Sequence, residues 1–145
     1  MKPRWLMDTH IWIWYAMQNP RLGAAGRELI ERSVYEGGLA VSIMTLWEIS
    51  LLDSKGRIHL GTPAAKWLDN ALALPNLKVL PLELPVILDA HRLPGSFHPD
   101  PADRLIIATA RHHGLTLITD DRKILDYGAQ GYLRARASTD MEEQQ

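Results

Sequence analysis

Short apolar runs alternate with longer segments of helical periodicity, and that alternation limits the fold of this chain more than any other feature. The runs are "RWLMD" (4–8), "LAVS" (39–42), "LKVLPL" (77–82) and "LTLIT" (115–119), with "GYLRA" (131–135) as a candidate fifth. Apolar runs this short suit strands covered on both faces. Between them lie helical segments. "HIWIWYAM" (10–17) is strongly apolar, and "PRLGAAGRELIERSV" (20–34) sets Leu22, Leu29, Ile30 and Val34 at helical spacing. "MTLWEISLLDSKG" (44–56) is closed by Gly56, and the next helix takes Thr62 as N-cap with Pro63 at its first position. "PVILDAHRL" (85–93) and "DPADRLIIATARHHG" (100–114) complete the set. Strand and helix in succession predict a parallel α/β sheet.

A chain of 145 residues is one ordinary domain. The domain is expected over residues 1–135, with a polar, disordered tail at 136–145 that contains "STDMEEQQ". With no Cys, disulfides and thiolate-held zinc or iron–sulfur centres are excluded. No apolar run approaches the roughly 20 residues that span a bilayer, and Asp8 and His10 interrupt the start, so a cytoplasmic protein with no membrane partner is expected. The formal net charge of -1 does not draw in nucleic acid. A polyanionic substrate therefore needs a local basic patch or bound cations.

Four carboxylates stand in awkward places. Asp8 follows Trp5, Leu6 and Met7 at a strand's carboxyl end, where parallel sheets bind ligands. It also fits an N-cap, and the two roles are compatible. Glu48 has Met44, Thr45, Leu51 and Leu52 as its helical neighbours, so it projects from an apolar stripe. Asp103 shares a stripe with Ile106, Ile107 and Ala110. Asp100, Pro101 and Asp103 resemble a capping box, which accounts for Asp100 as N-cap but only partly for Asp103. Asp120 and Asp121 follow another strand, where either could be a turn residue. On a parallel sheet four such acids can meet at one edge. They ionise together only beside a counter-charge, and oxygen donors alone suit Mg²⁺ or Mn²⁺.

These residues also carry a resemblance. "LMDTHIWIW", "VSIMTLWEIS", "DPADRLIIATA" and "GLTLITDDRKILDYG" resemble, in order and spacing, the PIN-domain ribonucleases, above all the VapC-type toxins of toxin–antitoxin pairs. The likeness runs from about residue 4 to residue 133. It implies an α/β fold, a three-layer α/β/α sandwich around a parallel sheet of about five strands. It implies Asp8, Glu48, Asp103 and Asp121 as catalytic, metal-binding acids that use Mg²⁺ or Mn²⁺ to activate water against RNA. The Thr-x-Asp pattern matches Thr119 and Asp121 and leaves Asp120 at a variable position, while Thr9 and Asp100 match auxiliary positions. The family further implies a homodimer and a cognate antitoxin as partners beside the RNA substrate. Ala102 stands where this subgroup often has Phe, which removes no ligand.

Other readings compete with this one. A non-catalytic PIN-like regulatory module, or another metal-dependent phosphoesterase on a parallel α/β fold, would also use an acidic pocket. His112 and His113 are adjacent and point about 100° apart on a helix, so they do not share a metal easily. Trp12 and Trp14 lie among isoleucines and suit a core or dimer interface. Among the late basic residues, which also include Arg111, Arg134 and Arg136, the candidates for contacting RNA are Arg104, Arg122 and Lys123.

Overall fold

Trp5–Met7 forms β1, the centre of a five-stranded sheet, because every one of its side chains has a packed layer to enter. The computed structural model describes residues 3–139. Leu39–Ser42 is β2, Leu77–Leu80 β3, Thr116–Ile118 β4 and Ala135–Arg136 β5, in the order β3-β2-β1-β4-β5, and every pairing is parallel. The seven α-helices are α1 (Thr9–Ala16), α2 (Ala24–Glu36), α3 (Ile43–Ser54), α4 (Ala64–Leu72), α5 (Leu84–His91), α6 (Pro101–His113) and α7 (Arg122–Ala129).

Alternation along the strands divides the core in two. Trp5, Met7, Leu39, Val41 and Ile118 face one layer with Ile11, Trp12, Leu29, Ile30 and Ile49. Leu6, Ala40 and Leu117 face the other with Ile106, Ile107, Ala110, Ile124 and Tyr127. The expected α/β/α sandwich with five parallel strands is therefore what forms. The chain lays β2 and β3 on one side of β1, then crosses to place β4 and β5 on the other. That reversal opens a crevice between the carboxyl ends of β1 and β4, where open α/β sheets bind ligands.

Several local expectations are corrected. The helix drawn over 20–34 is interrupted: Pro20–Leu22 makes one 3-10 turn capped by the Asn19 side chain, and Gly23 at φ 76° restarts the helix at Ala24. Thr62 does not cap α4, whose N-cap is Pro63 with no side-chain cap bond. The fifth strand lies at Ala135–Arg136, at the edge of the run expected to form it. The domain also continues past 135. Arg136 pairs with Ile118, and Ser138 is wholly buried, its N–H and hydroxyl each 2.8 Å from a carboxylate oxygen of Asp120. The rest of the expected tail, 140–145, lies outside the described residues.

The loop entering α6 is held from below. The Tyr127 hydroxyl donates to the Pro94 carbonyl at 2.5 Å, and Gly95 at φ 70° lies so close to Tyr132 that a Cβ would sit 2.5 Å from its ring. Gly95→Ala should therefore cost about 1–3 kcal/mol, since it adds left-handed strain and a ring clash. The check is a urea unfolding midpoint, which should fall clearly below that of the wild type.

Candidate active site

Asp8 is carried into the crevice by β1, and its backbone N–H still donates to Ile118 of β4 at 2.9 Å. Its carboxylate is buried and fully engaged. Oδ1 accepts from the Thr9 N–H at 2.9 Å, and Oδ2 accepts from the Thr119 hydroxyl at 2.6 Å. Burial raises its pKa above the usual carboxylate range, while the hydrogen bonds from Thr119 and Thr9 work in the opposite direction. Asp8 thus caps α1 and points into the crevice at once.

Glu48 approaches from α3, where its stripe faces α1. The Thr9 hydroxyl donates to Glu48 Oε1 and lies 3.2 Å from the Thr45 hydroxyl. Burial pushes the Glu48 pKa up against that hydrogen bond, and the charges of Asp8 and Asp100 add to the rise. Thr119 closes the other side: besides donating to Asp8, its oxygen accepts the Asp121 N–H at 3.0 Å. The two threonines fix Asp8 and Glu48 in a shared hydroxyl network.

Asp103 enters from the first turn of α6. Its carboxyl is pushed up to about 8, first by burial and then by the charges of Asp8, Asp100, Glu48 and Asp121. His98 Nε2 stands 3.2 Å from its Oδ2 without making a hydrogen bond. Asp100 departs from expectation. Its backbone begins α6, since the Arg104 N–H bonds to its carbonyl at 3.1 Å, but its carboxylate makes no cap bond. Oxygens of Glu48, Asp100 and Asp103 instead all lie within 4.8 Å of one another. Pro101 already removes one donor from the first turn, and the side chain is free to join the cluster.

The Asp120–Asp121 doublet also separates. Both oxygens of Asp120 are occupied by Ser138. Asp121 caps α7 through Oδ1 alone, accepting from the Lys123 and Ile124 N–H groups at 2.8 and 3.3 Å, so its second oxygen stays available. Asp8, Glu48, Asp100, Asp103, Asp120 and Asp121 line one cavity of about 350 Å³, with His10 and Trp14 on its wall, and Asp120 meets it with both oxygens already bonded to Ser138. A donor set made of carboxylate oxygens, several held above their normal pKa by burial and then by one another, fits a hard divalent cation.

Residues outside the cluster sort differently from expectation. Arg104 does not face a ligand: its guanidinium donates to the carbonyls of Ala90 at 2.8 Å, Phe97 at 3.1 Å and His98 at 3.4 Å. Arg111 pairs with Asp89 at 2.8 Å, and Arg134 bonds the Gly114 carbonyl at 2.5 Å. Arg122 and Lys123 are exposed beside Asp121, with no ion pair among the described residues. Trp12 is buried as expected, but Trp14 borders the cavity. His112 and His113 do converge with Glu83, their ligand atoms within 4.8 Å of one another, at the opposite end of α6. His10 lines the cavity and His98 stands beside Asp103, each close in sequence to a candidate acid, whereas Thr45 was not anticipated as a neighbour of the Thr9 hydroxyl.

Comparison with known proteins gives a consistent picture. The PIN-domain family matches residues 6–130. "Ribonuclease VapC22" of Mycobacterium tuberculosis (strain ATCC 25618 / H37Rv) is 35% identical over 119 residues, covering 82% of this chain and 88% of that protein. Among solved structures, VapBC2 from Rickettsia felis bound to a DNA fragment from its promoter aligns with a TM-score of 0.69 at 17% identity, over 94% of this chain and 98% of that one. DNA-bound VapBC from Salmonella typhimurium aligns with a TM-score of 0.67 at 16% identity, again over 94% and 98%.

The raised Asp103 pKa has a consequence for stability. Between the ordinary value of 3.8 and about 8, folded Asp103 keeps a proton that the unfolded chain has released. Cation-free protein should therefore lose stability as pH rises through that window. Thermal midpoints measured across it should fall for the wild type and change much less for Asp103→Asn. Added divalent cation should recover more at the alkaline end, and a level wild-type profile would contradict the cluster's electrostatics.

Proposed function

The chain belongs to the PIN-domain family, in its VapC branch, and from that premise we propose that the crevice is the active centre of a metal-dependent endoribonuclease, the toxin of a toxin–antitoxin pair. One observation carries the reading: carboxylates from β1, α3, α6 and the β4–α7 turn meet in one cavity at the point where the sheet reverses direction. Asp8, Glu48, Asp103 and Asp121 would hold Mg²⁺ or Mn²⁺, and the position of Asp100 supports adding it to that set. The chemistry a bound ion supplies is charge stabilisation at the phosphodiester and activation of water.

The chain's own residues do the rest. Thr119 and the Thr9 N–H hold both Asp8 oxygens, so Asp8 presents a fixed orientation. The Thr9 hydroxyl does the same for Glu48. Asp103, with its carboxyl near 8 in the cation-free site, carries a proton at neutral pH and can release it as positive charge enters. Arg122 and Lys123, exposed beside Asp121, would meet phosphate oxygens in this reading, whereas the Arg104 guanidinium bonds backbone carbonyls. The VapBC complexes among the structural neighbours support a cognate antitoxin as partner, and a second copy of the chain as dimer mate and action in the cytoplasm belong to the same proposal. Among the described residues no helix is long and apolar enough to cross a membrane.

Purified protein freed of antitoxin should cleave total RNA with Mg²⁺ or Mn²⁺ and lose that activity on chelation. Asp8→Asn should reduce the rate by about 100-fold or more, the scale of removing one preorganised electrostatic group from an active site. Equal cleavage by wild type and variant, or none by well-folded wild type, would contradict the reading.

A further inference from the structure

The acidic cavity does not end at its own wall. His10 and Trp14 line it from α1, and the same two side chains line a second cavity of about 570 Å³ on their far side. That neighbour contains Arg21, Arg57 and His59, and no carboxylate lines it. Arg21, Arg57, His10 and His59 are all exposed, and none makes an ion pair among the described residues. Arg21 lies over the Trp14 ring, 6.0 Å from its centroid, and the His10 ring is 6.3 Å from it on another side. A half-buried indole beside unpaired cations, adjoining a strongly acidic cavity, is an arrangement that folding does not require.

We propose that this second cavity is a nucleotide subsite for single-stranded RNA, holding the residue next to the scissile phosphate. The proposal rests on the ribonuclease reading of the acidic cavity and assigns that site's substrate path. A strand crossing six carboxylates needs cations on its flanks, since a protein of net charge -1 supplies no general attraction. Arg21 and Arg57 provide them on the α1 side, as Arg122 and Lys123 do on the Asp121 side. Trp14 offers a flat face for a base, and stacking of this kind tolerates any base. The volume falls within the roughly 300–1,000 Å³ typical of sites that enclose a small ligand. The cavity therefore has room for a single nucleotide.

The test uses the full chain in two arms. In the first, a fluorescent single-stranded RNA is titrated with Asp8→Asn protein, which does not cut it, and with the same protein carrying Arg21→Ala and Arg57→Ala. Binding should weaken about 10-fold or more, and the slope of log affinity against log salt should become shallower by about 1.4, the loss of two phosphate contacts to a single strand. In the second arm, wild type and the Arg21→Ala/Arg57→Ala variant hydrolyse a small aromatic phosphodiester with no flanking nucleotide, at equal rates if the arginines serve only the strand. Unchanged RNA affinity and salt slope would overturn the subsite. Unchanged RNA affinity with weakened binding of antitoxin peptide would also overturn it and assign the surface to that partner. If wild type hydrolyses neither RNA nor diester while the arginine variants still lose RNA binding, the catalytic reading fails and the cavity stands as a single-stranded RNA binding site alone.

Discussion

Mutual repulsion among carboxylates gathered at one cavity, with Asp8 buried and Glu48 and Asp103 half-buried, is the constraint on which the rest of this structure depends. Asp8, Glu48, Asp100, Asp103, Asp120 and Asp121 line one small cavity, and among the described residues none of them pairs with an Arg or Lys. Burying such charges unpaired is costly, and the strain appears as raised pKa values at Asp8, Glu48 and Asp103. A chain optimised for stability alone would neutralise this cluster with a cation of its own. Arg104, one helical residue from Asp103, turns away to bind three backbone carbonyls.

The architecture keeps the cluster assembled despite that repulsion. The sheet's reversal between β1 and β4 brings residues 111 positions apart into hydrogen-bonding distance, as Thr119 and Asp8 show. Hydroxyls from Thr9 and Thr119 give each carboxylate a donor without adding charge, so orientation is fixed while the demand for a cation remains. Asp120 anchors Ser138 and with it the chain beyond β5, which holds the β4–α7 turn that presents Asp121. Positioning and charge are thus supplied by different residues.

Much of this was legible in the sequence because it follows from periodicity. Leu39–Ser42 and the Pro101–His113 helix stand where apolar runs and helical spacing place them. Glu48 and Asp103 were visible as acids on apolar stripes. Asp100 was not, because Asp-Pro at a helix start has the same appearance whether or not the side chain caps. That choice depends on where the oxygen turns, which spacing does not encode. The doublet at 120–121 was likewise ambiguous until Ser138, 18 residues on, took both oxygens of one member. The helix after Asp121 was missed, since Ile124 and Tyr127 are its buried residues and leave a sparse apolar pattern. Arg104 shows the same limit: its charge is plain in the sequence, but the carbonyls that consume it come from a distant loop.

The central claim is that Asp100 joins the other acids in one cation site whereas Asp120 belongs to the scaffold. Mn²⁺ binding followed by electron paramagnetic resonance on wild type, Asp100→Asn and Asp120→Asn tests it directly. The account predicts that Asp100→Asn weakens Mn²⁺ affinity by about 10-fold or more, and that Asp120→Asn weakens it clearly less, since an amide oxygen still accepts the Ser138 N–H. Wild-type affinity in Asp100→Asn, or an equal loss in both variants, would contradict it.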